Sequence, residues 1–525
     1  MINNTKSTTH ELEDIPVVPS AGGVRRNGSS RWNISAEALR MLPQEFVKRH
    51  RVLPWQIRDG TLHVITSEPG NQRLIDDIRL ISGLEVSETV ASAEEILEKL
   101  AECHQLTVQQ MVENFDPAQS EGSDNKSLHD IEVMANEPTV INLVNVILAT
   151  AIGERASDIH IVPFEKTIQL SYRIDGLLQE KQPPPRNLHA GLISRIKIMA
   201  DINIAERYLP QDGHIQIHHR GARVDIRVGT MPTIHGESMV LRLLEKSSKL
   251  LTPEELGLDP ERSAQLKRLV AKPHGLFLTT GPTGSGKTTT LYSILSSIYS
   301  PEKKLITIED PVEYELAGVA QIPVRPARGF TFGSGLRAIL RQDPDVIMVG
   351  EIRDAETAEI AIRAALTGHQ VFSTLHTNDA AGAVTRLLDM GIEAFLISSS
   401  LEGVLAQRLV RRICSHCSTE WTPPQATRER LGFLGPAALD GIYYQGRGCE
   451  ECRGTGYKGR VGIFELLIIT PGLRELILQR RSSAEIKNMA RNSMVTIHQD
   501  ALRKSLAGMT TLDEILRVAA AETLE

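Results

Sequence analysis

The fold is decided by the stretch Gly281-Pro-Thr-Gly-Ser-Gly-Lys-Thr288, which fits the phosphate-loop pattern G-x-x-x-x-G-K-[ST]. An apolar strand, Leu276 to Thr279, precedes the loop, and a helical pattern follows it. Glycines let backbone N–H groups turn toward a phosphate at a helix N-terminus, where the helix dipole also favours an anion. The pattern predicts a site for the phosphates of ATP, formed by Gly281, Pro282, Thr283, Gly284, Ser285, Gly286, Lys287, Thr288 and Thr289.

Lys287 and Thr288 have the most specific expected roles in this loop. A lysine at this position reaches the β- and γ-phosphates, and the hydroxyl that follows it binds Mg²⁺. The alternative is a glycine-rich turn without a ligand, which the strand before the loop and the helix after it disfavour.

Buried strands alternate with helical patterns from Thr252 onward, which predicts a parallel α/β sheet. One of these strands, Asp345 to Val349, is followed by Glu351. Ligands bind beyond the carboxyl ends of such strands, so Glu351 is expected to support the Mg²⁺ ion. Gly350 and Glu351 stand where an aspartate is usual, and the alternative is an ordinary strand-end carboxylate.

A cluster of carboxylates follows a third strand, in the stretch Glu309-Asp-Pro-Val-Glu313. One of them could be the general base toward the water that attacks the γ-phosphate. Spacing alone does not decide which carboxylate has this role, and a solvated acidic turn is the alternative.

Two histidines, His369 and His376, flank the expected strand Gln370 to Ser373. A neutral imidazole at the end of such a strand could sense the γ-phosphate. The alternative is that both histidines are structural.

Four of the five cysteines form two Cys-x-x-Cys pairs, Cys414 with Cys417 and Cys449 with Cys452. Thiolates at this spacing predict a closed tetrahedral Zn²⁺ site. A redox-active pair is the alternative, although neither pair precedes a thioredoxin-like helix. Cys103 is expected to be a core residue of a helix.

The length of 525 residues predicts two to four domains. Alternating apolar and polar residues between Asp158 and Val228 predict a half-buried antiparallel sheet in a second N-terminal domain. The expected division is a disordered tail at 1–30, a small α+β docking domain at 31–112, a linker at 113–126, a PAS-like second N-terminal domain at 127–247, and an ATPase domain at 248–525 that includes a Cys₄ zinc insert at 411–462.

Composition excludes some classes of function. The net charge is −7 and the pI about 6.2, so no basic field argues for nucleic acid as a partner. The apolar stretch from Val140 to Ile152 contains asparagines and is shorter than the ~20 residues of a spanning helix. The N-terminus lacks the apolar segment of a secretory signal, and a cytoplasmic protein is expected.

In their order, these motifs resemble those of the secretion ATPase superfamily, which powers type II secretion and type IV pilus assembly. The resemblance lies in GPTGSGKTTT, ITIEDPVEYE, LRQDPDVIMVGEIRD and TGHQVFSTLHTND, and upstream in ASDIHI, RIDG, PQDG and DIRVGTMPTIHGE. It covers roughly residues 31 to 525. The Cys₄ insert and the N-terminal domain favour the assembly branch, and LAQRLVRRIC and GRVGIFELL favour the type II secretion ATPase over the pilus extension ATPase.

The resemblance implies a RecA-like core in a homo-hexameric ring, peripheral at the inner membrane, with ATP between subunits. It also implies a platform protein of that membrane and a cytoplasmic docking domain of the machinery as partners, with membrane contact only through them. The residues that it implies are Lys287 and Thr288 for phosphate and Mg²⁺, Glu351 for the metal, Glu313 as general base, and His369 and His376 as histidine-box residues.

Catalytic arginines in this family are expected near PQDG and the hairpin after it. Arginine is usual where Tyr208, His214 and Ser238 stand here, whereas Arg227 is retained. Arg227 is therefore predicted to stabilise charge on the γ-phosphate in the transition state, and the alternative is a pair with a carboxylate on its own sheet.

Two functions of other classes compete with a secretion motor. A DNA-translocating ATPase is disfavoured by the acidic net charge and by the absence of an interleaved basic and aromatic stripe. A scaffold that binds ATP without hydrolysing it is disfavoured by the presence of Lys287, Glu313 and Glu351.

Overall fold

The structure is a computed structural model that describes most of the chain. The described residues are 10–11, 34–96 without 40, 43–46, 48–49, 59, 68 and 93–94, 134–245 without 136 and 220–221, 250–425, 427 and 441–523. Two compact units divide the chain, residues 1–246 and 247–525. Most of the expected tail, the whole expected linker and Cys103 lie outside the described residues.

The first unit begins with a small α+β arrangement. Strand β2 pairs with β3 in antiparallel fashion, and β3 pairs with β4 in parallel fashion. Asn71 caps the second helix, which ends at Gly83 in a left-handed conformation (φ 69°). The bounds are β1 His10–Glu11, α1 Ala36–Leu39, β2 Val52–Arg58, β3 Thr61–Thr66, α2 Gln72–Ser82 and β4 Glu85–Val90.

A seven-stranded sheet follows in the same unit, in the order β1-β8-β9-β10-β5-β6-β7. The expected antiparallel sheet is present, and three of its strands, β1, β7 and β10, were not predicted from the sequence. Strand β1 lies in the stretch that was expected to be a disordered tail, and it pairs with β8 in parallel fashion. Apolar residues of its core pack with residues of two helices. The bounds are α3 Pro138–Gly153, β5 Ala156–Pro163, β6 Ile168–Ile174, β7 Leu177–Lys181, α4 His189–Met199, β8 Gln211–His219, β9 Ala222–Thr233 and β10 Gly236–Glu245.

The second unit contains a mixed seven-stranded sheet, in the order β13-β12-β14-β15-β11-β16-β19. Its pairs are parallel except the last, in which β19 runs antiparallel to β16. The first part of this unit comprises α5 Pro260–Val270, β11 Gly275–Thr280, α6 Lys287–Ile298, β12 Leu305–Glu309, β13 Val319–Pro323, α7 Phe332–Ile339, β14 Val346–Val349, α8 Ala355–Leu366 and β15 Gln370–Leu375.

Both faces of this sheet are covered, which explains its continuous apolar strands. Leu276 and Leu278 of β11 belong to one core, whereas Phe277 between them belongs to another. Successive side chains of a strand point to opposite faces, so alternate residues of β11 enter the two cores, and both sets of residues have to be apolar.

The rest of the second unit completes the sheet and carries the cysteine insert. Strands β17 and β18 form a separate antiparallel pair. The bounds are α9 Ala380–Asp389, α10 Ala394–Ser400, β16 Leu401–Ile413, β17 Ser418–Trp421, β18 Tyr443–Gly446, β19 Tyr457–Ile468, α11 Pro471–Leu478, α12 Ser483–Ala490, α13 Ile497–Leu506 and α14 Leu512–Thr523.

Candidate nucleotide site and zinc centre

The phosphate loop connects the carboxyl end of β11 to the first residue of α6. Gly281 has a φ of 147°, and a Cβ on it would lie 2.3 Å from the carbonyl oxygen of Gln407. Gly286 has a φ of 87° and precedes Lys287, the first residue of the helix. A side chain at either position would strain the backbone or displace its neighbours, so glycine is required for this loop to lie against β16.

Lys287 lies beneath the loop and is 8% exposed. Its ammonium group donates hydrogen bonds to the carbonyl oxygens of Gly281 (2.7 Å) and Pro282 (3.1 Å). Burial lowers the pKa of Lys287 to about 8, and the negative charge of Glu351 partly opposes that shift. The lysine charge is thus held where it can meet an anion cradled by the loop.

Gln407 supports the loop from β16, a contact that sequence analysis did not find. Its side-chain Oε1 accepts a hydrogen bond from Thr290 Oγ1 of α6 at 2.7 Å, and the residue is 1% exposed. The only signal in the sequence is a glutamine within the apolar stretch of LAQRLVRRIC.

Glu351 follows the carboxyl end of β14, at the edge of the sheet where the phosphate loop lies. His376 follows the neighbouring strand β15, and its Nε2 lies 3.2 Å from Glu351 Oε2. Arg353 forms an ion pair with the other carboxylate oxygen. The structure therefore brings Glu351 and His376 into contact, and the charge of Glu351 also acts on the pKa of Lys287.

Glu309, at the end of β12, is 2% exposed and is held by donors of the protein itself. Its carboxylate accepts hydrogen bonds from the hydroxyls of Tyr292 and Thr307 and from Nε2 of Gln321, the last at 3.2 Å. Glu313 lies four residues later, in the loop after β12, and is half-buried as a residue, although its Oε2 atom is buried. Of the three carboxylates that spacing leaves as candidates for the general base, Glu309 is buried, Glu313 is half-buried and Asp310 is exposed.

His369 lies at the opposite end of β15 from His376. Its Nδ1 is 3.0 Å from the carbonyl oxygen of Ala364, and its backbone carbonyl accepts a hydrogen bond from Gly275 at the start of β11. The six residues of β15 separate the two histidines by roughly 20 Å of strand. The structure does not bring His369 to the phosphate loop of its own unit, because the loop follows the far end of β11.

Arg227 belongs to the first unit, on the face of the seven-stranded sheet that is opposite its helix-covered core. It lies in register with His214 of β8 and with Arg242 of β10. Arg242 lies opposite Asp158 of β5 and pairs with it at 3.0 Å. Directly opposed residues share a face of a sheet, so Arg227 stands in a cross-strand row of charged groups.

The four cysteines of the insert form a compact cluster, and their Sγ atoms all lie within 4.8 Å of one another. Cys414 and Cys449 are 3.8 Å apart, as are Cys417 and Cys452. Zn–S bonds of about 2.3 Å in a tetrahedron place the sulfurs about 3.8 Å apart, so the cluster is compatible with zinc.

Backbone N–H groups also point at this cluster. The amides of Cys449 and Gly456 donate to Cys452 Sγ at 3.1 and 3.2 Å. Donors of this kind stabilise a thiolate and orient it toward a metal ion. The geometry favours a structural metal site over a disulfide, because all four sulfurs converge on one point.

Comparison with known families is consistent with this arrangement. Residues 134–517 match the family described as Type II/IV secretion system protein, and residues 28–110 match the MshEN domain. The chain belongs to the type II/IV secretion system protein family. It is an ATPase of that family, which implies a nucleotide and typically Mg²⁺ as ligands of the phosphate loop.

Relatives of two types, type II secretion system proteins and type IV pilus assembly ATPases, match this secretion ATPase, and one of each type has the same sequence identity to it. Type II secretion system protein E of Dickeya dadantii is 44% identical over 492 residues, which are 92% of this chain and 97% of the relative. Type IV pilus assembly ATPase PilB of Thermus thermophilus is 44% identical over 484 residues, or 91% of this chain. The chain spans only about half of that second relative, 54% of its length.

A solved structure supports the fold of the secretion ATPase. The Legionella pneumophila ATPase DotB matches with a TM-score of 0.54 and 22% identity, over 74% of this chain and 98% of that protein. The expected RecA-like class is confirmed. None of the helices in the described part of the chain combines the length and hydrophobicity needed to cross a bilayer.

Proposed function

We propose that this chain is the motor of a type II secretion system, which hydrolyses Mg-ATP to drive growth of a pseudopilus. The observation that supports it best is the single sheet edge at which the phosphate loop, Glu351 and His376 meet, in a chain that belongs to the secretion family. The second candidate is a type IV pilus extension ATPase, because a pilus assembly relative matches at 44% identity.

The phosphate loop from Gly281 to Thr289 is proposed to bind the triphosphate. Lys287 would exchange its hydrogen bonds to loop carbonyls for contacts with the β- and γ-phosphates. Thr288, half-buried in the first turn of α6, and Glu351 would hold Mg²⁺ directly or through water. A bound Mg²⁺ ion neutralises charge that develops on the phosphates.

Glu313 is the proposed general base, a role that rests on the resemblance. It is less buried than Glu309, and its backbone N–H donates to the hydroxyl of Tyr292 in α6. His376, already in contact with Glu351, is proposed to sense the γ-phosphate. Arg227 is proposed to supply positive charge in the transition state, a role that the sequence predicted and that rests on the resemblance. His369 remains a histidine-box residue by resemblance, without a proposed contact to the phosphates bound by its own unit.

The cysteine cluster is proposed to hold one structural Zn²⁺ ion through Cys414, Cys417, Cys449 and Cys452. Four thiolates close the coordination sphere, so such an ion would stabilise the insert without taking part in hydrolysis.

The assembly is proposed to be a homo-hexamer at the cytoplasmic side of the inner membrane. A platform protein of that membrane and a cytoplasmic docking domain of the secretion machinery are the proposed partners, and nucleic acid is not. The resemblance to secretion ATPases supports this arrangement.

Lys287→Ala tests the proposed chemistry, with exposed Lys303→Ala as the matched control. Phosphate release should disappear in the first variant, since it removes the charge on the phosphates, and should stay at the wild-type rate in the second. Hydrolysis by Lys287→Ala at the wild-type rate would refute the assignment of the site.

The type of motor is tested in the native host by replacing the gene with the Lys287→Ala allele. A type II motor should lose export of secreted proteins while surface pili persist. Loss of pili with normal secretion would establish the alternative.

A further inference from the structure

We infer that the hydroxyl of Tyr292 is a positioning group for Glu313. It fixes the loop between β12 and β13, residues 310–318 (the acidic loop), to the helix that carries Lys287. This inference rests on the proposed role of Glu313 as general base. Tyr292 lies in α6 and is fully buried, at 0% exposure, which is unusual for a hydroxyl unless it is hydrogen-bonded.

All three hydrogen-bonding positions of this hydroxyl are occupied. It donates to Glu309 Oε2 and accepts from the backbone N–H of Glu313 and from Nε2 of Gln321, both at 3.3 Å. A hydroxyl has one hydrogen and two lone pairs, so these contacts saturate it. Because all its hydrogen-bonding positions are used, the Tyr292 hydroxyl has one orientation, and this orientation fixes the positions of the groups bonded to it.

The three partners come from three different elements of the fold. Glu309 ends β12, Glu313 lies in the acidic loop, and Gln321 belongs to β13. The two hydrogens of Gln321 Nε2 are shared among three acceptors, the hydroxyl of Tyr292, Glu309 Oε1 at 3.2 Å and the carbonyl oxygen of Tyr314 at 3.1 Å. Gln321 Oε1 accepts from the backbone N–H of Leu316 at 2.6 Å. The loop is thus held at several points around one hydroxyl of the phosphate-loop helix.

Tyr314 provides a neighbouring aromatic residue for comparison. Its ring packs edge-on against the ring of Tyr292, with centroids 4.6 Å apart and an interplanar angle of 81°. No hydrogen bond of its hydroxyl is found among the described residues. The two tyrosines therefore share packing and differ in the role of the hydroxyl.

The position of a general base matters to the chemical step more than to binding. Displacing Glu313 would misplace the attacking water while leaving the phosphate loop and Lys287 unchanged. Loss of the Tyr292 hydroxyl should therefore lower kcat and leave KM for ATP unchanged.

Tyr292→Phe tests the inference, with Tyr314→Phe as the matched control. Each change removes one oxygen and keeps its ring. For Tyr292→Phe we expect kcat to fall by about threefold to tenfold, the scale of one hydrogen bond, with unchanged KM. Tyr314→Phe should keep both constants at wild-type values. Wild-type kcat in Tyr292→Phe, with Glu313→Gln inactive, would overturn the inference alone.

A double-mutant cycle separates positioning from general destabilisation. In a Glu313→Gln background there is no base to position, so adding Tyr292→Phe should not lower the residual kcat further. A second fall of the same factor would show that Tyr292 acts only through stability and would overturn the inference. Hydrolysis by Glu313→Gln at the wild-type rate would instead refute the proposed base, and the inference with it.

Gln321→Met serves if Tyr292→Phe does not accumulate as folded protein. It removes the second donor to the same hydroxyl and leaves the tyrosine in place. We expect a smaller fall in kcat, again without a change in KM. A rise in KM with unchanged kcat would contradict the positioning role.

Discussion

Glu309 and Glu313 should respond in opposite ways to the same chemical change. Replacing either carboxylate with the amide of glutamine keeps its size and removes its charge. The structure places Glu309 in a closed network and Glu313 in a half-buried loop. We therefore expect Glu309→Gln to lower stability with less than about a tenfold loss of hydrolysis, and Glu313→Gln to lower hydrolysis by about 10²–10⁴-fold with little loss of stability.

The expected magnitude follows from the donors around Glu309. Tyr292, Thr307 and Gln321 all donate to its carboxylate, whereas an amide has one accepting atom and one donating group. In Glu309→Gln, at least one of these buried donors then faces the amide NH₂ group instead of an acceptor, which lowers the free energy of unfolding by about 1–3 kcal/mol. The thermal transition of Glu309→Gln should fall by roughly 5 °C.

Glu313 is half-buried as a residue, so the expected loss of stability in Glu313→Gln is smaller, under about 1 kcal/mol. Its hydrolysis should fall by about 10²–10⁴-fold, the usual contribution of a general base. Glu309→Gln should lose less than about tenfold, because the Tyr292 contact is weakened and the base is retained.

Three measurements on each variant decide the matter: the thermal transition without nucleotide, binding of a fluorescent ATP analogue, and phosphate release. Both variants should bind the analogue as the wild type does. If Glu309→Gln kept its thermal transition and lost hydrolysis while Glu313→Gln remained active, Glu309 would be the base. In that case burial of Glu309 would not exclude it from the chemical step.

Three other predictions concern different parts of the chain. Metal analysis should find about one zinc ion per chain, and Cys449→Ser should destabilise the insert while phosphate release continues; four freely titratable thiols in metal-free protein would contradict this. Gly281→Ala should destabilise the nucleotide-free protein more than Gly284→Ala, since a Cβ meets backbone only at the former, and equal thermal transitions would contradict it. Arg227→Ala should impair hydrolysis more than ATP binding, and His214→Arg should speed turnover; unchanged rates in both would show that this hairpin supplies no catalytic charge.

Much of the second unit could be predicted because its signals are local. The phosphate loop has a fixed pattern, and the apolar strands before it and before Glu351 are short and continuous. In the first unit, local signals likewise predicted the helix Gln72–Ser82 and the strand Ile168–Ile174 with the observed bounds. Periodicity and turn residues within a few positions were sufficient for these elements.

The antiparallel pair of β16 and β19 was beyond local signals, because 43 residues of chain, 414 to 456, separate the two strands. Gln407 was missed for the same reason, since its contact with Thr290 joins positions 117 residues apart. Strand β1 has only two residues, too few for a periodic pattern, and strands β7 and β10 were also missed. Contacts between residues far apart in the chain leave no periodic pattern in the sequence, so they are seen only in the folded structure.

The difference between Glu309 and Glu313 shows what a sequence alone cannot resolve. Both follow one strand, and both could reach the same edge of the sheet by spacing. Their roles diverge because Tyr292, on another element, donates its hydrogen to one and accepts the backbone N–H of the other. The hydroxyl of Tyr292 therefore helps to hold Glu309 in a buried network, and it also fixes the backbone of the loop that carries Glu313. Its two hydrogen bonds support a structural role for Glu309 and a chemical role for Glu313.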